Sequence, residues 1–277
     1  MIDSKTKLLG LIGHPVEHSL SPIMHNEALR HRNLNYVYLA FDVHPNSLKH
    51  VVNGAKALGT FSGFNVTVPH KVEIIKYLDE IDNEAQLIGA VNTVKIKDNK
   101  AIGYNTDGLG VRMSLEEETG RVKGKNILII GAGGAARAVS FELAKDNTIT
   151  IVNRTVENAK TLAKDISKKL NKNIGYGGLN IDIEDYNIII HTTPVGMYPN
   201  INTKPIIDVD KINKDMVVMD LIYNPRETVL LKESRNRAAK TINGLGMLVY
   251  QGAIAFEIWT GIKPDIKVMK RKIESII

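Results

Sequence analysis

The sequence predicts an α/β protein built in two parts, on three observations. Up to about Gly110, short apolar runs alternate with amphipathic segments. The run Asn126-Ile-Leu-Ile-Ile130 is too continuously apolar for a half-exposed strand and leads straight into the turn Gly131-Ala-Gly-Gly-Ala-Ala136, as a buried parallel strand would. Beyond that turn, helix and strand patterns alternate, which specifies a parallel, doubly wound sheet. A length of 277 residues exceeds one compact core and suits two domains.

In the first half, Leu8 to Ile12, Tyr36 to Phe41, Gly63 to Val66 and Ala90 to Ile96 read as strands, short apolar runs bounded by turn residues. A helix starts at Ser21-Pro22, with Ser as N-cap and Pro at the first helical position, and runs through Met24, Ala28 and Leu29. Another follows Pro45, and shorter ones surround Ile75 and Leu87. Asp98-Asn99 joins Val94-Lys-Ile96 to Ala101-Ile102 as a hairpin turn, since both residues tolerate turn dihedrals.

The second half follows the charged, glycine-punctuated stretch Glu116 to Lys125. After the strand at 126–130 come a helix from Ala135 to Leu143, a strand from Thr148 to Val152 and a helix from Val156 to Leu170. Strands follow at Asn187 to Ile190, Met216 to Leu221 and Thr241 to Asn243. From Met247 to Trp259 apolar residues occupy nearly every face, so this helix is buried and is expected to return to the first domain. Asp265 opens a last helix, Ile266 to Ile277, with lysines on its outer face.

Position makes the glycine turn informative, because it follows a strand and opens a helix. Gly131 permits the tight turn, Gly133 lets the backbone approach a pyrophosphate, and Ala136 keeps the helix close to the strand. The helix N-terminus then presents unpaired N–H groups to the phosphates. The bland alternative is a strand-to-helix turn with no ligand. About 20 residues on, where an NAD site places Asp or Glu on the ribose, stands Asn153-Arg154-Thr155. With no carboxylate there, the Arg154 guanidinium fork suits a 2′-phosphate and Asn153 and Thr155 add hydrogen bonds. The expected cofactor is NADP; a solvated arginine after a strand is the alternative.

Three polar clusters stand at strand ends in the first half. Ser19-Leu-Ser21-Pro22 puts two hydroxyls at a helix start, either as plain capping or as a seat for an anion such as a carboxylate. In Asn65-Val-Thr67-Val-Pro69-His-Lys71 the strand period sends Asn65 and Thr67 to one side and Val66 and Val68 to the other. Lys71 stands at a helix start, where the dipole disfavours a cation, and is either a solvated lysine or a proton carrier. Asn105-Thr-Asp107-Gly-Leu-Gly110 sets Asp107 at a strand-to-helix junction. It either caps the next helix or pairs with Lys71 beside a substrate hydroxyl or ketone.

Composition narrows the classes further. With 43% hydrophobic and 24% charged residues the chain is globular rather than disordered. There is no cysteine, which excludes disulfides, thiolate zinc sites and a cysteine nucleophile and favours the cytoplasm. The start, Met1-Ile-Asp-Ser-Lys-Thr-Lys-Leu8, lacks an apolar signal core, and no stretch approaches the roughly 18 apolar residues of a membrane span. The net charge of +6 raises nucleic acid as a partner, but the lysines of 160–172 recur beside Asp165 as on a solvated helix face. His14, His18 and His25 lie close in sequence, yet Pro15 and Pro22 interrupt any regular helix between them, and no metal is expected.

Taken in order, Gly13-His-Pro15, His18-Ser-Leu-Ser-Pro22 with His25-Asn26, Asn65-Val-Thr-Val-Pro-His-Lys71, Gly89-Ala-Val-Asn-Thr93 and Asn105-Thr-Asp107 resemble the shikimate dehydrogenase family. So do Gly131-Ala-Gly-Gly-Ala-Ala-Arg137, Asn153-Arg-Thr155, Asp220-Leu-Ile-Tyr-Asn-Pro225 and Gln251-Gly252. The resemblance spans nearly the whole chain. It implies an N-terminal α/β substrate and catalytic domain over 1–108, a doubly wound Rossmann-type NADP-binding domain over 109–244, and C-terminal helices over 245–277 packing back on the first domain.

It further implies that Ser19 and Ser21 bind the substrate carboxylate, that Thr67, Asn92, Asp107 and Gln251 hold the ring hydroxyls, that Asn65 and Lys71 also bind the substrate, that Tyr223 lines the pocket, and that Lys71 and Asp107 form the acid-base pair. On the cofactor side it implies Gly131, Ala132, Gly133, Gly134, Ala135 and Ala136, then Asn153, Arg154 and Thr155. Thr192, Thr193, Pro194, Met197 and Leu221 follow, with Gly244 and Met247 near the nicotinamide. Where relatives usually have Asn at the start of a segment like His191 to Met197, this chain has His, and no role carries over to that position. The implied reaction is reversible NADPH-dependent reduction of 3-dehydroshikimate to shikimate, on the way to chorismate and the aromatic amino acids. The expected partner is that small molecule alone, with no nucleic acid and no membrane, and a homodimer is compatible with it.

Overall fold

The computed structural model describes residues 2–276, so Met1 and the predicted last helical residue, Ile277, lie outside the described residues. In chain order the strands are β1 (Lys7–Gly13), β2 (Tyr36–Asp42), β3 (Phe61–Val66), β4 (Glu80–Ile81), β5 (Thr93–Lys97), β6 (Lys100–Tyr104), β7 (Asn126–Ile130), β8 (Thr148–Val152), β9 (Gly175–Gly177), β10 (Ile188–His191), β11 (Val217–Asp220) and β12 (Lys240–Ile242). The helices are α1 (Ser21–His31), α2 (Leu48–Ala57), α3 (Asn83–Ile88), α4 (Asp107–Thr119), α5 (Gly134–Ala144), α6 (Val156–Leu170), α7 (Val229–Asn236), α8 (Leu245–Thr260) and α9 (Ile266–Glu274). The chain divides into two compact units, one up to Gly110 together with Leu248 onward, the other Val111 to Met247.

The first unit holds a mixed sheet in the order β2-β1-β3-β5-β6-β4. β1 runs parallel to β2 and β3, and β5 is antiparallel to β3 and β6. Asp98 and Asn99 join β5 to β6 with φ of +49° and +58°, the left-handed pair that a tight hairpin turn requires. Phe64, Val66, Val91 and Val94 pack with Leu48 and Val52 of α2 in one buried cluster. The later turns of α8 are pinned to β5, since Trp259 Nε1 donates to the Val94 carbonyl at 2.9 Å and Lys95 Nζ to the Ile258 carbonyl at 2.6 Å. α9 packs against α1.

The second unit holds a parallel sheet in the order β12-β11-β10-β7-β8-β9. Counted from β7 as the first strand and read from β9, this is the 3-2-1-4-5-6 order of a doubly wound fold, whose direction reverses between β7 and β10. Every residue of β7 after Asn126 is fully buried, in line with its unbroken apolar run. Ligands of such sheets bind beyond the strand C-termini at that reversal, which here selects the turns after Ile130 and His191.

Several local expectations are corrected. Leu20 rather than Ser21 is the N-cap of α1, with no side-chain capping bond; Ser21 is already the first helical residue, and its buried hydroxyl faces Tyr38. The strand expected from Ala90 begins only at Thr93, as the Val91 N–H leaves the ladder for the Lys71 carbonyl at 2.7 Å. Val68 does not continue the alternation of β3; it lies in the following turn and is 68% exposed. The helix around Ile75 is a five-residue 3-10 turn, Glu73–Tyr77, and Lys71 precedes it. It therefore offers little dipole at Lys71. Among the described residues no helix is long and apolar enough to cross a membrane.

Candidate active site

In the first unit, four chain segments meet in one polar web. Lys71 leaves the turn after β3, and its Nζ lies 2.5 Å from Asp107 Oδ2. Asp107 is the first residue of α4, but its carboxylate is committed to Lys71 and to Asn92, whose Nδ2 donates to Oδ1 at 2.7 Å. Capping is left to Asn105, whose Oδ1 accepts the Asp107 N–H at 3.1 Å. Asn92 Nδ2 also lies 3.3 Å from Gln251 Oε1 on α8 and 2.9 Å from Thr106 Oγ1. Its Oδ1 accepts the Thr106 N–H at 2.8 Å. Two amide hydrogens thus face three acceptors.

Burial gives this web its chemistry. The Asp107 side chain is 3% exposed and that of Lys71 16%, so the carboxylate is a fixed buried charge and the ammonium is its partially accessible counterpart. A lysine so held presents a proton at a defined atom, which is the requirement for acid-base catalysis.

A second cluster adjoins it through β3. The fully buried Tyr38 hydroxyl donates to Asn65 Oδ1 at 2.8 Å and bonds Ser21. Asn65 Nδ2 donates to the Asn92 carbonyl and to Thr93 Oγ1, at 3.1 and 3.0 Å. Burial raises the Tyr38 phenol well above its ordinary value, with Ser21 pulling the other way, so Tyr38 remains a donor. Ser19 Oγ accepts the Ser21 N–H at 3.3 Å. Thr67 stands just past β3, with its N–H on the Ile12 carbonyl at 2.9 Å, and its Cγ2 would lie 2.3 Å from a Cβ on Gly13. Tyr38, Thr93 and Thr106 are absent from the residues given a role from sequence; Thr93 and Thr106 stand inside the quoted motifs, whereas a tyrosine inside a strand pattern carries no local signal of a site.

The second unit carries the remaining expected residues, Tyr223 among them. Gly131 has φ of +120°, and a Cβ there would lie 2.4 Å from Thr192 Oγ1. Glycine is therefore required at this turn. Gly133 precedes α5 with no side-chain cap, and a Cβ on it would meet nothing within 4 Å. The space at Gly133 is thus open at the start of α5, where Ala132, Gly134 and Ala135 are partly exposed and Ala136 is buried; a helix start open in this way fits a dinucleotide phosphate. Asn153 Nδ2 donates to the Thr155 carbonyl at 3.0 Å and shapes the turn after β8, where Arg154 and Thr155 are exposed.

Thr192, Thr193, Pro194 and Met197 lie in the loop after β10 and Leu221 directly after β11. Thr192 donates to the Ile130 carbonyl through both N–H and Oγ1, at 2.9 and 2.7 Å, tying this loop to the glycine turn. Gly244 packs so closely that a Cβ would lie 2.1 Å from the Leu221 carbonyl oxygen. Met247, in the first turn of α8, is nearly buried. Among the described residues no group of three or more His, Asp or Glu side chains is disposed to hold a metal ion.

Family models match this chain over most of its length. Residues 11–94 match the shikimate dehydrogenase substrate binding domain, 114–245 the shikimate / quinate 5-dehydrogenase model, and 244–274 the shikimate 5′-dehydrogenase C-terminal domain. The chain belongs to the shikimate dehydrogenase family. A shikimate dehydrogenase (NADP(+)) of Methanocaldococcus jannaschii is 68% identical over 277 residues, covering 99% of this chain and 98% of that protein. A crystal structure of a shikimate dehydrogenase in complex with NADP+ superimposes with a TM-score of 0.96 at 66% identity, covering 100% of this chain and 98% of the other. The shikimate 5-dehydrogenase of Thermus thermophilus in complex with NADP(H) and shikimate gives a TM-score of 0.87 at 32% identity, covering 98% and 100%.

Proposed function

We propose that this chain is an NADP-dependent shikimate dehydrogenase, an oxidoreductase that reversibly reduces the ring ketone of 3-dehydroshikimate to shikimate on the way to chorismate and the aromatic amino acids. The observation that carries the reading is the Lys71–Asp107 pair, 2.5 Å apart and backed by Asn92 and Gln251, in a chain of this family. NADPH supplies the hydride when bound. Lys71 Nζ gives a proton to the oxygen that develops negative charge; in reverse its neutral amine takes the hydroxyl proton, with Asp107 orienting the nitrogen and balancing its charge.

Thr67, Asn92 and Gln251 join Asp107 around the ring hydroxyls, Asn65 adds a substrate contact, Ser19 and Ser21 take the carboxylate, and Tyr223 lines the pocket. Gly131 to Ala136 hold the pyrophosphate and Asn153, Arg154 and Thr155 the 2′-phosphate. Thr192, Thr193, Pro194, Met197 and Leu221 flank the cofactor, with Gly244 and Met247 at the nicotinamide. The domain assignment makes 1–108 catalytic, 109–244 NADP-binding, and 245–277 the helices that complete the first. The reading has the enzyme working in the cytoplasm on a small molecule, without nucleic acid or membrane, and is compatible with a homodimer.

The test is shikimate-dependent reduction of NADP followed by absorbance, run against quinate and against NAD. Turnover with shikimate and NADP well above the other combinations supports the reading. Absence of turnover with every pair overturns it, and equal turnover with quinate or NAD widens the substrate or cofactor class.

A further inference from the structure

His191 and Asp220 end the neighbouring parallel strands β10 and β11 and face each other in register. Both are buried, and neither has a part in the chemistry above. Their hydrogen bonds sort into one direction. Asp220 Oδ1 accepts the Ile222 N–H at 3.1 Å and Oδ2 accepts the Thr228 hydroxyl at 2.7 Å. A carboxylate only accepts, so His191 Nδ1, 3.0 Å from Oδ1, is the protonated nitrogen. At the other side of the ring Nε2 is hydrogen-bonded to Thr193 Oγ1 at 2.5 Å. Thr193 Oγ1 itself accepts the Val195 N–H at 3.3 Å. The imidazole is a bridge, donating to Asp220 at one end and hydrogen-bonded to Thr193 at the other.

Both ends of the bridge lead to segments with assigned work. Through Thr193 it fixes the loop that Thr192 ties to the Ile130 carbonyl at the glycine turn. Through Asp220 it fixes Leu221 and Ile222, and the Leu221 N–H returns to the His191 carbonyl at 3.0 Å. Mobile donors and acceptors at a ligand must be ordered when the ligand binds, at a cost in affinity; neighbours that order them beforehand remove that cost.

We infer that His191 is a positioning residue for the dinucleotide, setting the 192–197 loop and the start of the segment after β11 through a hydrogen-bonded bridge between Asp220 and Thr193. This rests on the reading of that loop as part of the NADP site. Asn at this position also offers one donor and one acceptor, whereas Leu offers neither, so the two substitutions separate bridging from space-filling.

The test uses the full chain, with NADPH dissociation constants from fluorescence titration, KM for both substrates, kcat and thermal midpoints. His191→Leu should raise the NADPH dissociation constant and KM about tenfold, the scale of one lost bridging hydrogen bond, while KM for shikimate stays within about twofold of the parent. His191→Asn should recover affinity to within about threefold. Thr193→Val should cost about as much as His191→Leu, and the double variant should cost no more than either, because one bridge cannot be lost twice. Unchanged NADPH affinity in both single variants, full additivity in the double, failure of Asn to rescue, or a fall in kcat and thermal midpoint with KM for NADPH unmoved would each overturn the inference. If the His191→Leu variant does not fold, the Thr193→Val result decides. A parent chain that binds no NADPH overturns the functional reading itself, and is recognised before any variant is compared.

Discussion

Replacing Lys71 with Met removes the ammonium while keeping most of the stem, and the structure separates two consequences. The first is catalytic. A positioned acid-base group contributes about 10² to 10⁴ in rate, which at about 1.4 kcal/mol per tenfold is roughly 3 to 5 kcal/mol of barrier. The second is structural. The Asp107 carboxylate is 3% exposed, and stranding a buried charge costs about 3 to 5 kcal/mol. Asn92 still donates to Oδ1 at 2.7 Å, and the 16% exposure of Lys71 admits some water, so the lower end, about 3 kcal/mol, is expected. The double variant Lys71→Met/Asp107→Asn discriminates between them. It removes the stranded charge and should recover most of the stability, but it restores no proton carrier. Steady-state kinetics by NADPH absorbance and urea unfolding on the parent, single and double variants give the two quantities. Turnover within tenfold of the parent in the single variant would refute the assignment of Lys71, and turnover regained along with stability in the double would show that the loss was one of folding.

Arg154→Ala should weaken NADPH by about ten- to a hundredfold, the loss of one or two charge-assisted hydrogen bonds, and leave NADH nearly unchanged; titrations with both cofactors check it, and equal losses would remove Arg154 from the 2′-phosphate. Tyr38→Phe leaves Asn65 Oδ1 without its 2.8 Å donor and frees Ser21. It should cost about 1 to 3 kcal/mol in urea unfolding and raise KM for shikimate more than it lowers kcat, a split that kinetics reads directly. His25 is fully buried against Tyr38, Phe256 and Trp259, its ring nitrogens have no hydrogen-bond partner, and burial pushes its pKa down to about 3. The unfolded chain takes up a proton near 6.5 that the folded one refuses until about 3, so this stability is full above pH 6.5 and drains away as pH falls toward 3. At about 1.4 kcal/mol per pH unit the loss reaches about 2 kcal/mol by roughly pH 5. His25→Phe should flatten that part of the curve, and parallel parent and variant curves from urea unfolding at pH 8 and pH 5 would count against it.

Much of the second unit is legible because its signals are local. The unbroken apolar runs of β7 and β10 can only be buried strands, and the turn after Ile130 needs glycine for a reason written in its own backbone, φ of +120° with Thr192 against the missing side chain. β4 and β9, of two and three residues, are too short to show any periodicity. α7 is hidden behind Asn224-Pro225, although Thr228 caps it by accepting the Leu231 N–H. A local rule can also miss by one residue. Ser21 has the chemistry of an N-cap, but it is already the first helical residue of α1, and its buried hydroxyl faces Tyr38 from β2.

The first unit reverses the balance between local and distant information. Lys71 and Asp107 lie 36 residues apart, and each has an ordinary explanation in its own segment, one as a solvated lysine and the other as a cap. Their pairing is suggested by chemistry and by the ordered motifs of the family, not by any periodicity. The supporting residues have less help: Thr106 and His25 stand inside those motifs with no role assigned, and Tyr38 stands outside them. Tyr38, Thr106 and His25 are ordinary strand, loop and helix residues until the sheet order brings β2, β5 and α8 around them. The reacting groups of this enzyme, with Asn92 and Gln251 beside them, are thus the part a sequence advertises, and the further partners, Tyr38 above all, are the part only the fold reveals. His191 belongs with those partners. Its departure from the family pattern gave it a position without a role, and the role becomes visible only when Asp220 on the next strand and Thr193 in the loop are seen at its two nitrogens.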